Sequence, residues 1–202
     1  MSRIRLVPLL VAIAALPPRG GPLRAQAPGA ASAIVVATLP LPADLRSGAT
    51  VVSVNEGGHP DTLRAGTNSM VCLTDTPADT LLDVRCYHAT FVPLIYAARQ
   101  LYHAGLSETA VAARMAAEIR SGRLPRPPIP TAGYRVYGPL REYNPVTQEL
   151  GPGIDRWQSI HMPFATTTGV GVAGVEHGTN PYMMAEGTWW AHVMIMQRPL
   201  RY

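Results

Sequence analysis

The chain has 202 residues, and its 17 basic side chains are all arginine, set against 13 acidic ones. Four of those arginines (Arg3, Arg5, Arg19, Arg24) precede Ala27 and no acid does, so the remainder is balanced at 13 against 13 and lacks the basic excess of a nucleic-acid binder. The absence of lysine removes Schiff-base, Ser-Lys and P-loop chemistry, each of which needs an amine that loses its proton or grips a phosphate.

Arg3 and Arg5 lead into an apolar run over residues 6–16, and Ala25-Gln26-Ala27 supplies a small-residue cleavage site, which is the pattern of a secretory signal peptide over residues 1–27. The run falls short of the roughly 20 apolar residues that span a bilayer. No cysteine before Cys72 offers a lipid attachment point, and no later apolar stretch is long enough to hold the chain in a membrane. The expectation is a periplasmic or extracellular protein with no stable membrane anchor after processing. About 175 mature residues suit one domain with a core of its own.

Residues 28–32 are small and read as a mobile linker, leaving residues 33–202 as the domain. Val35-Val36 and Val51-Val52-Ser53-Val54 read as short strands around a turn at residues 40–48, and residues 56–61 turn the chain again. Cys72 and Cys86 lie in apolar surroundings on either side of a Thr-Asp-Thr-Pro-Ala-Asp-Thr insert, so the segment reads as strand, turn, strand. In an oxidising compartment the single cysteine pair is expected to form a disulfide, the rival being two free thiols.

After Cys86 the apolar period changes. Phe91, Leu94, Ile95, Ala98, Leu101 and Tyr102 recur at three and four, predicting a helix over residues 90–104 with Thr90 as N-cap and Gly105 as stop. A second helix runs from Ser107 to about Ser121, with Val111, Met115 and Ile119 on one stripe. The four prolines of residues 123–130 make a crossing loop. Residues 134–137, 157–164 and 188–196 read as further strands. The fold class is α+β, a mainly antiparallel sheet of about five or six strands packed against the helix hairpin.

Leu63-Arg64-Ala65-Gly66-Thr67-Asn68, followed by Cys72 and Cys86 and later by His192-Val193-Met194-Ile195, resembles an uncharacterised exported bacterial family. Its members share a Leu-Arg-x-Gly-Thr-Asn segment before a cysteine and a C-terminal His-x-Met-Ile strand. The resemblance covers about half of the mature chain in scattered pieces and implies an exported fold, with no activity attached.

The chemistry-bearing candidates are few. Residues 169–174 match G-x-G-x-x-G, but Gly178, Pro181 and Gly187 prevent the long helix that a dinucleotide needs after it, so the run reads as a turn or flap. Strand alternation places Trp190, His192, Met194 and Met196 on one face, and His161 meets His192 if their strands are neighbours. Two imidazoles with thioethers from Met162, Met183, Met184, Met194 or Met196 suit copper, and with Glu56, Glu176 or Glu186 they suit zinc. The bland alternative is a hydrogen-bonded histidine and packing methionines in the core. A hydrolase would use His88, His161 or His192 as base with Asp83 or Asp155 orienting it, although no Gly-x-Ser-x-Gly or His-Glu-x-x-His motif is present. The leading expectation is a non-catalytic exported domain, without a cofactor, that binds a small ligand or a protein partner. Its contact surface is expected among Trp157, Trp189, Trp190, Tyr134, Tyr137 and Tyr182.

Overall fold

The structure, a computed structural model, describes residues 28–54, 59–75, 80–175 and 180–197; the expected signal peptide, Glu56, Glu176 and most of the insert between the cysteines lie outside the described residues. The first element is a helix, α1 (Pro28–Thr38), where a linker and a strand at Val35-Val36 were expected. A short apolar run fits either period, and here the spacing of three between Ile34 and Ala37 buries one side of the helix against the sheet, with Leu41 of the following turn in the same cluster. The Thr38 hydroxyl donates back to the Ile34 and Val35 carbonyls and closes the last turn. A one-turn helix, α2 (Ala43–Arg46), leads into β1 (Thr50–Val54), β2 (Pro60–Arg64), β3 (Met70–Leu73) and β4 (Leu81–His88).

The helix pair then follows as α3 (Val92–His103) and α4 (Glu108–Arg120), close to the expected bounds. Ser107 caps α4 by accepting from the Ala110 amide, and Gly105 and Gly122 take positive φ after the two helices. Thr90 does not cap α3: Phe91 holds the N-cap position without a side-chain bond, and the Thr90 hydroxyl pairs with His88 instead. The chain continues as β5 (Thr131–Pro139), a small hairpin of β6 (Tyr143–Asn144) and β7 (Glu149–Leu150), then β8 (Asp155–His161), the short helix α5 (Thr167–Val170), β9 (Tyr182–Met184) and β10 (His192–Gln197). Thr188 to Ala191, expected as strand, form a turn in which the Ala191 amide bonds the Thr188 carbonyl and the Thr188 hydroxyl bonds the Ala185 carbonyl.

Among the described residues the main sheet has eight strands in the order β2-β1-β3-β4-β5-β8-β10-β9, against the five or six expected, and of its neighbouring strand pairs only β1–β3 is parallel. The extra strands are edge strands. β2 is mostly exposed and polar, and β9 has three residues, so neither shows the alternation that betrays a half-buried strand. The α+β class stands, and the hairpin of α3 and α4 covers one sheet face as expected. Phe91, Leu94, Ile95, Val111 and Met115 pack there on Val52, Leu73 and Tyr87, while α1 covers Val51, Met70, Cys72 and Cys86 on the other face.

Cys72 and Cys86 sit opposite each other on β3 and β4 and are joined as a fully buried disulfide. The segment before β3 is held by backbone recognition: the Thr67 and Asn68 amides both donate to the Gly48 carbonyl, and the Arg64 guanidinium donates to the Arg46 and Ala49 carbonyls. Gly66 passes so close to β1 that a Cβ there would run into the Thr50 amide nitrogen and the Gly48 carbonyl. Asn68 completes the junction, donating to the Leu45 carbonyl and accepting from the Met70 amide. No described helix is long and apolar enough to cross a membrane.

Candidate functional site

Alternation along four neighbouring strands brings polar side chains together on the face that the helix hairpin covers. On β4 this face carries Asp83, Arg85 and Tyr87; the register then matches Arg135 to Arg85, Trp157 to Arg135, Ser159 to Gly133, and His192 to His161. Arg85 and Arg135 both grip Asp83. Arg85 donates through Nε and Nη2 at 3.0 and 2.6 Å, and Arg135 does the same at 2.7 and 2.9 Å. Burial alone would raise the Asp83 carboxyl, but the two guanidinium groups outweigh it and hold the pKa at about 2. Burial also works against the charge on Arg85, and the bond to Asp83 reverses that, leaving its pKa raised. Arg135 is further fixed by stacking over the rings of Tyr137 and Trp157, 4.6 and 4.7 Å from their centroids.

A third arginine is treated differently. Arg99, on α3, is half-buried, and among the described residues no carboxylate comes within ion-pairing distance of it. Burial lowers its pKa. It borders a cavity of about 330 Å³ between the hairpin and the sheet, together with Arg85, Tyr87, Trp189 and Trp190, and with the exposed Glu108 and Tyr102 at the rim. A smaller cavity of about 130 Å³ adjoins it, sharing Arg85, Tyr87 and Trp190 and reaching Ser159, His161, His192 and Met194. The Trp190 side chain is placed by the turn before β10, where its amide bonds the Thr188 hydroxyl.

His161 and His192 do meet. They are directly opposed on β8 and β10, their ring centroids lie 4.9 Å apart, and they are 2% and 5% exposed. His161 stacks on Phe91 at 4.3 Å and lies 4.8 Å from the Trp190 ring. Burial, and secondarily the neighbouring His192, push the His161 pKa well below its usual value; burial lowers that of His192 as well.

Neutral imidazoles leave one proton to place on each ring. The His192 Nδ1 lies 2.7 Å from the Trp190 carbonyl, which only accepts, so Nδ1 carries the proton and Nε2 keeps a lone pair. The His161 Nε2 lies 3.0 Å from the Ser159 hydroxyl, while Nδ1 is buried without a partner among the described residues. An orphaned N–H is rarer than an orphaned acceptor, which puts the His161 proton on Nε2, donating to Ser159 Oγ. The pair needs Gly133 on β5 beneath it, since a Cβ there would stand 2.7 Å from both Ser159 Oγ and His161 Nε2. The Thr131 hydroxyl, opposite His161 on β5, is also buried without a partner among the described residues.

Of the other expected residues, Tyr134, Met184, Met194 and Trp157 border the smaller cavity and Trp189 the larger, and the rest lie elsewhere. His88 points to the α1 side of β4 and binds Thr90, so it joins neither cavity. Met162 and Met183 pack in a cluster on that same opposite side with Val193, and Glu186 accepts from the Thr167 amide and hydroxyl. Met184 is 42% exposed across β9 from His192, Met194 is 4% exposed beside it, and the Met196 side chain is not described. Asp155 is exposed at the start of β8. Among the expected aromatic contacts, Trp189 is core, Tyr134 packs with the α1 cluster, and Trp157 is half-buried. The glycine run overlaps the end of α5 and its left-handed stop at Gly171, and no helix follows it among the described residues. Sequence reasoning missed Arg85, Arg99, Arg135 and Ser159; the spacing of two in Asp83-Val84-Arg85 and in Ser159-Ile160-His161 was the signal that each pair shares a strand face.

No protein-family model, curated protein or solved structure matches this chain.

Proposed function

We propose that the protein is an exported binding domain whose ligand is a small organic anion with an apolar body, held in the cavity between the helix hairpin and the sheet. The carrying observation is Arg99, a half-buried guanidinium without an ion pair among the described residues, bordering a cavity that two tryptophans also line. Burying a cation without a counter-charge is costly, and a bound carboxylate removes that cost. The cavity volume, about 330 Å³, sits at the lower end of small-molecule sites, which supports a compact ligand over a protein partner. Export rests on the signal-like N-terminus, and the buried disulfide is consistent with it.

The hydrolase reading receives less support. With the His161 proton on Nε2, Ser159 faces a donor and not a base, and among the described residues no carboxylate orients the ring through Nδ1.

The test is titration of the purified protein with benzoate, 3-phenylpropionate and indole-3-acetate, and with their uncharged amides, followed by tryptophan fluorescence and calorimetry. Saturable binding of a carboxylate, weakened about tenfold or more in Arg99→Gln or on replacing the carboxylate by the amide, is the expected result. Equal binding of acids and amides, or none of either, overturns the proposal.

A further inference from the structure

We propose that His161, His192 and Met194 form a binding site for a soft monovalent metal, Cu(I), in the smaller cavity beside the anion pocket. The two ring protons set which nitrogens are free. Each imidazole has one N–H anchored, to Ser159 Oγ from His161 and to the Trp190 carbonyl from His192, and each is left with a second nitrogen that is a bare lone pair. Anchoring the far nitrogen on a fixed acceptor is how metal-ligating histidines have their tautomer and ring orientation set. The free His161 nitrogen is buried without a partner, and nothing among the described residues bonds His192 Nε2.

Spacing agrees with a shared ion. Two imidazoles on one tetrahedral ion, with metal–nitrogen bonds of about 2 Å, hold their ring centres about 5 Å apart. The pair stands at 4.9 Å. Met194 follows His192 on the same strand face and borders the same cavity, with Met184 more exposed across β9.

The donor set decides which ion. No group of three histidine, cysteine or acidic side chains among the described residues suits a metal; of the acids on this face, Asp83 is held by two arginines and Asp155 is exposed at the far end of β8 from His161. Zinc is therefore left without the third nitrogen or oxygen donor it prefers, and the positive charge of Arg85 and Arg135 disfavours a dication. Neutral nitrogen and thioether donors in an apolar setting suit Cu(I). The Trp190 ring, 4.8 and 5.5 Å from the two imidazoles, adds an aromatic face beside the cation. None of these observations depends on the anion-binding reading.

The experiment is anaerobic competition of the purified protein, disulfide intact and without thiol reductant, against bicinchoninate-bound Cu(I), with Ag(I) as a redox-inert probe and Zn(II) as control. Stoichiometric Cu(I) uptake is expected, with Ag(I) shifting the ring-nitrogen resonances of both histidines and no comparable uptake of Zn(II). Met194→Leu keeps the volume of the side chain and is expected to fold, as checked by circular dichroism, while weakening Cu(I) about tenfold or more. His192→Gln is expected to abolish uptake. Failure of the wild-type protein to compete, unchanged affinity in a folded Met194→Leu, or Zn(II) binding as tight as Cu(I) would overturn the site.

Discussion

His161 and His192 face each other across the β8–β10 pair, 4.9 Å between ring centroids, each with one nitrogen bonded along its own strand or turn and the other without a bond among the described residues. Two neutral imidazoles buried together make stability depend on pH. Their folded pKa values lie below the ordinary histidine value, so in metal-free protein the unfolded chain takes up protons first as pH falls through about 6.5. The stabilisation is complete above that pH and is lost below it. Urea unfolding at pH 5.5 should give a free energy lower than at pH 7.5 by about 1.4 kcal/mol for each histidine that stays neutral in the fold. A His161→Phe/His192→Phe variant should show a flatter profile, and an unchanged slope in that variant would contradict the assignment.

Asp83 is the shared acceptor of two guanidinium groups, and its folded pKa of about 2 lies below the unfolded value. Its contribution is therefore present above about pH 4 and disappears as pH falls toward 2. Asp83→Asn leaves Arg85 and Arg135 without their counter-charge and should cost about 2 kcal/mol, discounted for partial solvent access. Chemical denaturation at pH 7 measures it, and a change within experimental scatter would mean that the arginines find other partners.

Gly66 and Gly133 should respond to alanine for different reasons. At Gly66 the added carbon meets backbone on β1, which yields only if strands shift, so Gly66→Ala is expected to cost about 3 kcal/mol or more. At Gly133 it meets the ends of Ser159 and His161, which can rotate, so about 1–2 kcal/mol is expected, with a displaced His161 imidazole resonance in nuclear magnetic resonance spectra. Gly66→Ala as mild as Gly133→Ala would show that the turn at residues 65–69 is not held as described.

The Cys72–Cys86 disulfide closes a loop of 14 residues' separation. Its removal in a Cys72→Ala/Cys86→Ala variant should lower stability by about 3 kcal/mol through the freer unfolded chain. Thermal unfolding of oxidised and double-alanine protein compares them, and equal midpoints would refute the estimate.

The glycine run at residues 169–174 ends a four-residue helix and no helix follows it among the described residues, so the glycines lead into no helix N-terminus that could take a pyrophosphate. Calorimetry with NAD and FAD should show no saturable heat, and a saturable signal with either would restore the dinucleotide reading.

How much was legible follows from which forces are local. The helix hairpin could be read because Leu94, Ile95 and Ala98, then Val111, Met115 and Ile119, repeat at the helical period, and Ser107, Gly105 and Gly122 punctuate it with cap and turn chemistry within a few residues. The cysteine hairpin and the face shared by His192 and Met194 were equally local, since strand alternation needs only a period of two. The apolar run at residues 33–37 fits both periods, and packing of Ile34 and Ala37 on the sheet decided for helix. The polar edge strand β2 and the three-residue β9 carry too little pattern of their own and exist because a neighbour offers unpaired backbone groups. The site is the least local feature. Asp83 and Arg135 are 52 residues apart and meet only through the β4–β5 register. Arg99 is one of many helical arginines until the sheet closes a cavity beside it, and the free nitrogens of His161 and His192 become visible only when Ser159 and the Trp190 carbonyl take the others. Sequence by itself determined the periods, the turns and the disulfide partners; strand order, register and burial, which depend on contacts between distant segments, decided which of its polar groups share a cavity and which remain without a partner.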